Sequence, residues 1–144
     1  MKKIVLIVLI IVIIVGVGGY FYLKQTNNKS KEILNEYISK ITDQKYDEMY
    51  EMINKESKQK ISKEDFISRN KKIYEGIDLS NITTEIKDVK NIGTKKEISY
   101  TEKMEASGGE ITFDNKVILN YENGYKISWS STLIFPDLED IDKV

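Results

Sequence analysis

Hydrophobic and polar positions divide the chain into three regimes. From Ile4 to Leu23 no residue is charged. At 1.5 Å per residue such a run makes a helix roughly 30 Å long, the thickness of a bilayer core. No A-x-A-like cleavage site follows Gly16–Gly19, and Tyr20-Phe21-Tyr22 continue the run. Both points favour a membrane anchor over residues 1–24 against a cleaved signal peptide. A β-branched run this long at an N-terminus also argues against a buried core helix. Gln25 to Lys29 reads as a short polar spacer. From Ser30, whose hydroxyl suits an N-cap, the period becomes helical. Ile33, Leu34, Tyr37, Ile38 and Ile41 form one stripe, Asp43–Tyr46 interrupts it, and Tyr46, Met49, Tyr50 and Ile53 form a second. Asn54–Lys60 is a polar connection. Ser62-x-x-Asp65 has the spacing of a capping box, and Phe66, Ile67, Ile73 and Tyr74 give the next helix its buried side up to a stop at Gly76.

After Gly76 the period falls from 3.6 to 2. Ile82, Thr84 and Ile86 alternate with polar residues, and so do Ile98, Tyr100, Glu102 and Met104, with Asn91–Lys95 as the turn between. Gly108-Gly109 marks a second turn, and Ile111, Phe113, Val117, Leu119 and Tyr121 mark a third strand. Asn123-Gly124 is a two-residue hairpin signal. It leads into Tyr125-Lys126-Ile127-Ser128-Trp129, which holds the single Trp. Leu133-Ile134-Phe135 then ends at Pro136, the single Pro, as the closing corner of the sheet. Strands with no helices between them pair antiparallel. The prediction is an α+β fold: a transmembrane helix, then two to three helices packed on a curved antiparallel sheet of about four strands, spanning 30–136. Asp137–Val144 is acidic and reads as an exit linker toward something longer.

Composition narrows the chemistry. The chain has 144 residues, 22 basic and 23 acidic, with no Cys and no His. Leaving out the first 24 residues, the remainder carries about −4 net charge, which argues against nucleic acid as a partner. Disulfides, Cys/His zinc sites and His- or Cys-based nucleophile pairs are excluded. Arg69 is the one Arg, so bidentate anion recognition has one position at most. Lys2 and Lys3 place the N-terminus on the cytoplasmic side, although Lys24 weakens the asymmetry, and the remainder is expected to face outward.

Two candidate chemistries remain. Ser57-x-x-Lys60 and Ser68-x-x-Lys71 have the spacing of the transpeptidase nucleophile, but the companion Lys-Thr-Gly motif is absent. In a chain this rich in Ser and Lys such matches arise by chance, and solvated helix and loop charge explains them. Tyr46, Tyr50, Tyr74 or Tyr100 could form a general acid–base pair with Glu102 or Asp65. Tyr at helical spacing is more often core with its hydroxyl at the rim. Glu102 is the oddity, because it shares a face with Ile98, Tyr100 and Met104: it is either at an edge that reaches water or a buried carboxylate. Trp129 reads as the core anchor of the last strand. No catalytic, cofactor-binding or metal residue is assigned.

Several segments together carry a resemblance: Gln44-Lys45-Tyr46-Asp47-x-Met49-Tyr50, Ile61-Ser62-x-Glu64-x-Phe66, Ile73-Tyr74-x-Gly76-Ile77, and above all Trp129-x-x-x-x-Ile134-Phe135-Pro136-x-Leu138. The chain resembles the N-terminal domain of class B penicillin-binding proteins of the methicillin-resistance (MecA) type. It departs from that pattern at Tyr125, where the family often has Trp, and at Ser130, where it often has an acid. The resemblance implies a nuclear-transport-factor-2-like cone fold and a non-catalytic extension. That extension would be a spacer, interaction or regulatory module linked to cell-wall synthesis and the β-lactam response. A transpeptidase domain in cis, the membrane and cell-wall components are the implied partners, and no family catalytic residue maps onto these positions. Two other readings stand beside it: a stand-alone membrane-tethered binding protein of the same fold, and a small isomerase- or dehydratase-like enzyme.

Overall fold

A computed structural model describes residues 2–130, with side chains from Ile4 onward. Four helices precede four strands: α1 (Lys2–Thr42), α2 (Tyr46–Met52), α3 (Lys55–Lys60), α4 (Lys63–Gly76), β1 (Asn81–Ile92), β2 (Lys95–Ala106), β3 (Gly109–Tyr121) and β4 (Tyr125–Ser128). The strands form one antiparallel meander in the order β1-β2-β3-β4. The class is α+β, as the change of period after Gly76 predicts.

The first helix is where sequence and structure part. Gln25–Lys29 is helical, and Ser30 caps nothing: its hydroxyl donates to the Asn27 carbonyl inside an unbroken 41-residue helix. The spacer is polar, but it holds neither Gly nor Pro, so nothing in it stops a helix. One rod therefore carries both the apolar run and the stripe that enters the core. Ile4–Leu23 is exposed along its length, and this helix is long and apolar enough to cross a membrane. Leu34, Tyr37, Ile38 and Ile41 are buried against the sheet. The helix ends in a Schellman pair, with Lys45 N–H donating to Lys40 C=O at 2.8 Å and Gln44 N–H to Ile41 C=O at 3.0 Å. Gln44 takes the left-handed position, φ 56°, usually given to Gly.

Asn54–Lys60, expected as a connection, contains the short helix α3. Asn54 caps it by accepting from Ser57 N–H at 2.8 Å. Ser62 caps α4, accepting from Asp65 N–H at 3.1 Å while its hydroxyl donates to the Asp65 carboxylate at 2.8 Å. Gly76 is the last residue of α4, and the left-handed turn that follows falls on Asp78, φ 50°. The Glu51 carboxylate bridges Lys58 and Lys63, each at 2.9 Å, and so ties the three short helices together at the surface.

The core face of the sheet reads across the strands in rows. These are Ile82–Met104–Ile111, Thr84–Glu102–Phe113, Ile86–Tyr100–Asn115, Val89–Ile98–Val117 and Asn91–Lys96–Leu119–Ile127. Val89 joins this face because the register slips by one residue between Ile86 and Asp88. Such a bulge bends a strand and raises its twist. The β3–β4 loop is three residues, Glu122–Gly124, between the paired Tyr121 and Tyr125, rather than the two-residue turn that Asn123-Gly124 predicts. On its outer side β4 is covered by Ile53 and Asn54: Ile53 bridges Ile127, and Asn54 N–H donates to Ile127 C=O at 2.8 Å. Trp129 is buried with its ring edge-on to Phe66, centroids 5.8 Å apart, as a core anchor should be. The corner at Leu133–Pro136 and the linker at Asp137–Val144 lie outside the described residues.

Candidate functional site

The structure settles the Glu102 question in favour of burial. Strand alternation turns Glu102 inward between Tyr100 and Met104, and it is 1% exposed. Removing a carboxylate from water penalises its charged form. Burial pushes the Glu102 carboxyl up to about 8, while the polar ends of Tyr100 and Asn115 oppose that rise. The group is therefore a neutral acid at pH 7. Its Oε2 has no hydrogen-bond partner among the described residues.

Three tyrosines lie near enough to feel this carboxyl's charge. Tyr37 comes from α1, Tyr74 from α4 and Tyr100 from β2, all buried. Their hydroxyls are held above the usual phenol range, first by burial and next by the nearby Glu102 charge. Tyr46 stacks on Tyr74 with centroids 6.3 Å apart and planes 10° apart. Two of the four tyrosines singled out in the sequence, Tyr74 and Tyr100, thus meet Glu102, and Tyr46 lies one ring away. Tyr50 turns elsewhere, its ring edge-on to Phe66 and its hydroxyl donating to the Ile61 carbonyl at 3.2 Å. Asp65 stays at the α4 cap. Tyr37 and Asn115 were not singled out. Tyr37 belongs to a helix distant in sequence and Asn115 lies across the β2–β3 hairpin, and only packing and pairing bring them to Glu102.

A cleft of about 130 Å³ opens beside this cluster, bordered by Tyr46, Tyr74, Glu75 and Asp78 among others. Glu102 is not among its lining residues. An acid or base must lie within hydrogen-bond reach of the group it serves, and ligand pockets usually exceed 300 Å³. The carboxyl proton is thus enclosed in the core and does not lie at the wall of this cleft.

The Ser-x-x-Lys matches divide. The Ser57 hydroxyl is buried and spans the last strand, accepting from Trp129 N–H at 2.9 Å and facing the Trp129 carbonyl at 3.4 Å. Lys60 pairs with Glu56 at 2.7 Å. Ser68 is exposed on α4, and Lys71 lies 4.0 Å from Glu75. Among the described residues no group of three or more acidic side chains could hold a metal ion.

Residues 29–142 match the MecA_N family, described as the NTF2-like N-terminal transpeptidase domain. The chain is 29% identical to penicillin-binding protein 3 of Bacillus subtilis strain 168 over 149 aligned positions, covering 97% of this chain and 22% of that protein. It thus spans about a fifth of the length of this curated relative. Among solved structures it is similar to a SEC-C motif containing protein from Rhodopseudomonas palustris, with a TM-score of 0.56, 9% identity and coverage of 67% of this chain and 73% of that one. That likeness concerns the fold alone. The family match takes in most of the sequence, from Lys29 in α1 past β4, and the chain belongs to the MecA_N family of NTF2-like N-terminal transpeptidase domains.

Proposed function

We propose that this chain is the membrane-anchored, non-catalytic N-terminal domain of a penicillin-binding protein. It stands on the outer face of the membrane, holds a transpeptidase domain in cis at a fixed height and presents a surface to cell-wall components. One observation carries the reading: α1 is a single helix whose first part is apolar and exposed and whose last turns are core. A rod shared between anchor and domain transmits position, which a flexible tether cannot do. The buried Ser57 and the enclosed Glu102 support a structural rather than chemical role. The cleft beside Tyr46 and Tyr74 is too small to favour an enzyme acting there.

The chain has no cysteine, so single cysteines report topology cleanly. Ser68→Cys, on the exposed side of α4, is expected to react with a membrane-impermeant maleimide in intact protoplasts. Labelling that appears only after lysis would put the domain in the cytoplasm and end this proposal.

A further inference from the structure

The Gly93–Thr94 turn and the Glu122–Gly124 loop lie at the same end of the sheet, and that end meets α1 where its apolar run stops. Between them lies an open groove of about 470 Å³. Lys29, Lys95 and Lys96 line it, with Tyr22, Tyr121 and Tyr125, and no acidic residue is among its lining. We propose that this groove binds the phosphate-bearing headgroup of an anionic phospholipid in the membrane that α1 crosses. The inference rests on the anchor reading of α1.

Height is the first argument. Lys29 lies six residues beyond Leu23, the last of the apolar run, which is about 9 Å along the helix. The headgroup layer extends roughly 5–8 Å beyond the hydrocarbon on each side. The groove is lined from Tyr22 and Leu23 up to Lys29, so it spans the level where lipid phosphates sit.

Charge is the second. Lys96 is 5% exposed, and its ammonium donates to three neutral oxygens: Thr26 Oγ1 at 3.1 Å, Asn27 Oδ1 at 2.8 Å and Asn91 Oδ1. An ammonium has three donors, so this one is saturated, yet its charge is not neutralised. Among the described residues Lys29, Lys95 and Lys96 have no carboxylate within ion-pair distance. Glu56 senses the Lys95 charge only weakly. Lys29 and Lys95 are exposed and free to reach a phosphate, and Lys96 adds a fixed positive field behind them. Burial lowers the Lys96 pKa, and a neighbouring anion would favour its charged form.

The rim is the third. Tyr121 and Tyr125 pack edge to face at 5.4 Å. Tyr121 is 64% exposed and Tyr22 66%. Ile92, beside the Gly93–Thr94 turn, is 51% exposed. Amphipathic rings and an apolar side chain around a cationic groove suit the boundary between headgroups and acyl chains.

The test uses the full chain in phosphatidylcholine nanodiscs with and without phosphatidylglycerol. Incorporation is read by size-exclusion chromatography, and retained lipid by native mass spectrometry. The chain is expected to incorporate into both discs and to retain phosphatidylglycerol about tenfold above its bulk fraction. The K29Q/K95Q variant changes only exposed side chains and is expected to return retention to the bulk ratio while incorporating equally well. Failure to incorporate would overturn the anchor reading and this inference with it. Incorporation with equal retention of both lipids, or unchanged retention by the variant, would overturn the headgroup site alone. A third arm adds inorganic phosphate to phosphatidylcholine discs and follows the Thr94–Lys96 amide resonances. A response there with none to phosphatidylglycerol would assign the groove to a soluble anion and overturn the lipid assignment.

Discussion

Lys96 Nζ on β2 donates to Asn27 Oδ1 on α1 at 2.8 Å. This bond joins the sheet to the helix just where α1 leaves the apolar run. Thr26 Oγ1, at 3.1 Å, adds a second link. Lys96→Met keeps the stem and removes these bonds. The freed oxygens are only partly buried and can be rehydrated, so global stability should fall by no more than about 1–2 kcal/mol. The local effect should be larger. Amides from Thr26 to Ser30 are expected to exchange roughly tenfold faster while β2 and β3 amides are unchanged. Uniform acceleration across the domain would show that Lys96 supports the core generally rather than joining helix to sheet.

Ser57 fixes the far edge of the sheet. Its hydroxyl accepts from Trp129 N–H at 2.9 Å, beyond the last pair of the β3–β4 ladder. Ser57→Ala leaves a buried N–H without a partner, a loss of about 1–3 kcal/mol. Trp129 is the single Trp and is 9% exposed, so its emission reports the same event. The expected result is a lower urea midpoint for the chain in micelles together with a red-shifted native spectrum. A lower midpoint with an unshifted spectrum would mean that Trp129 is held by its ring alone.

That ring contact can be tested separately. Phe66 is fully buried between Tyr50 and Trp129, edge to face with both at 5.5 and 5.8 Å. Phe66→Ala should cost about 3–5 kcal/mol through lost burial and an unfilled cavity. Phe66→Leu keeps much of the volume and should cost less than half as much. Equal losses in the urea midpoint would contradict a packing role for this ring.

Local patterns made much of this fold legible. The Ser62–Asp65 cap, the change of period after Gly76 and the inward face of Ile98, Tyr100, Glu102 and Met104 each follow from spacing within a few residues. The features that escaped depend on partners far away. Lys87 gives no sign that β1 slips register there, because the extra residue is defined only by pairing with Tyr100 and Ser99. Asn54 and Ser57 have no apolar stripe to reveal α3, and their role is set by Ile127 and Trp129 some 70 residues later. Lys96 has the parity of Ile98, a signal that it points inward, but a lysine beside a turn reads as solvated until its three oxygen partners are in place. At Gln25–Lys29 polarity suggested a break, although nothing in the composition prevents helix. Glu102 was recognisable as misplaced from β2 alone. That Tyr37 and Asn115 share its surroundings was not.

Glu102 gives the pH dependence. Its ordinary pKa is 4.5, and burial raises it to about 8 in the folded chain. Below the unfolded value both states hold the proton and the group has no effect. Between 4.5 and 8 the folded chain keeps a proton that the unfolded chain has released. Stability therefore falls as pH rises through that window, and the loss is complete above the folded value. By pH 7 the effect is roughly 3–4 kcal/mol. Glu102→Gln preserves shape and cannot ionise, so its urea midpoint should vary little with pH from this source. The variant should be less favoured relative to the parent at pH 5 and more favoured at pH 8, with the two curves crossing or converging as pH falls. Urea titrations of both chains in micelles at pH 5, 6.5 and 8, followed by Trp129 fluorescence, measure this directly. Parallel curves would mean that Glu102 titrates near its solution value, and water would then have to reach Oε2 through the tyrosines that enclose it.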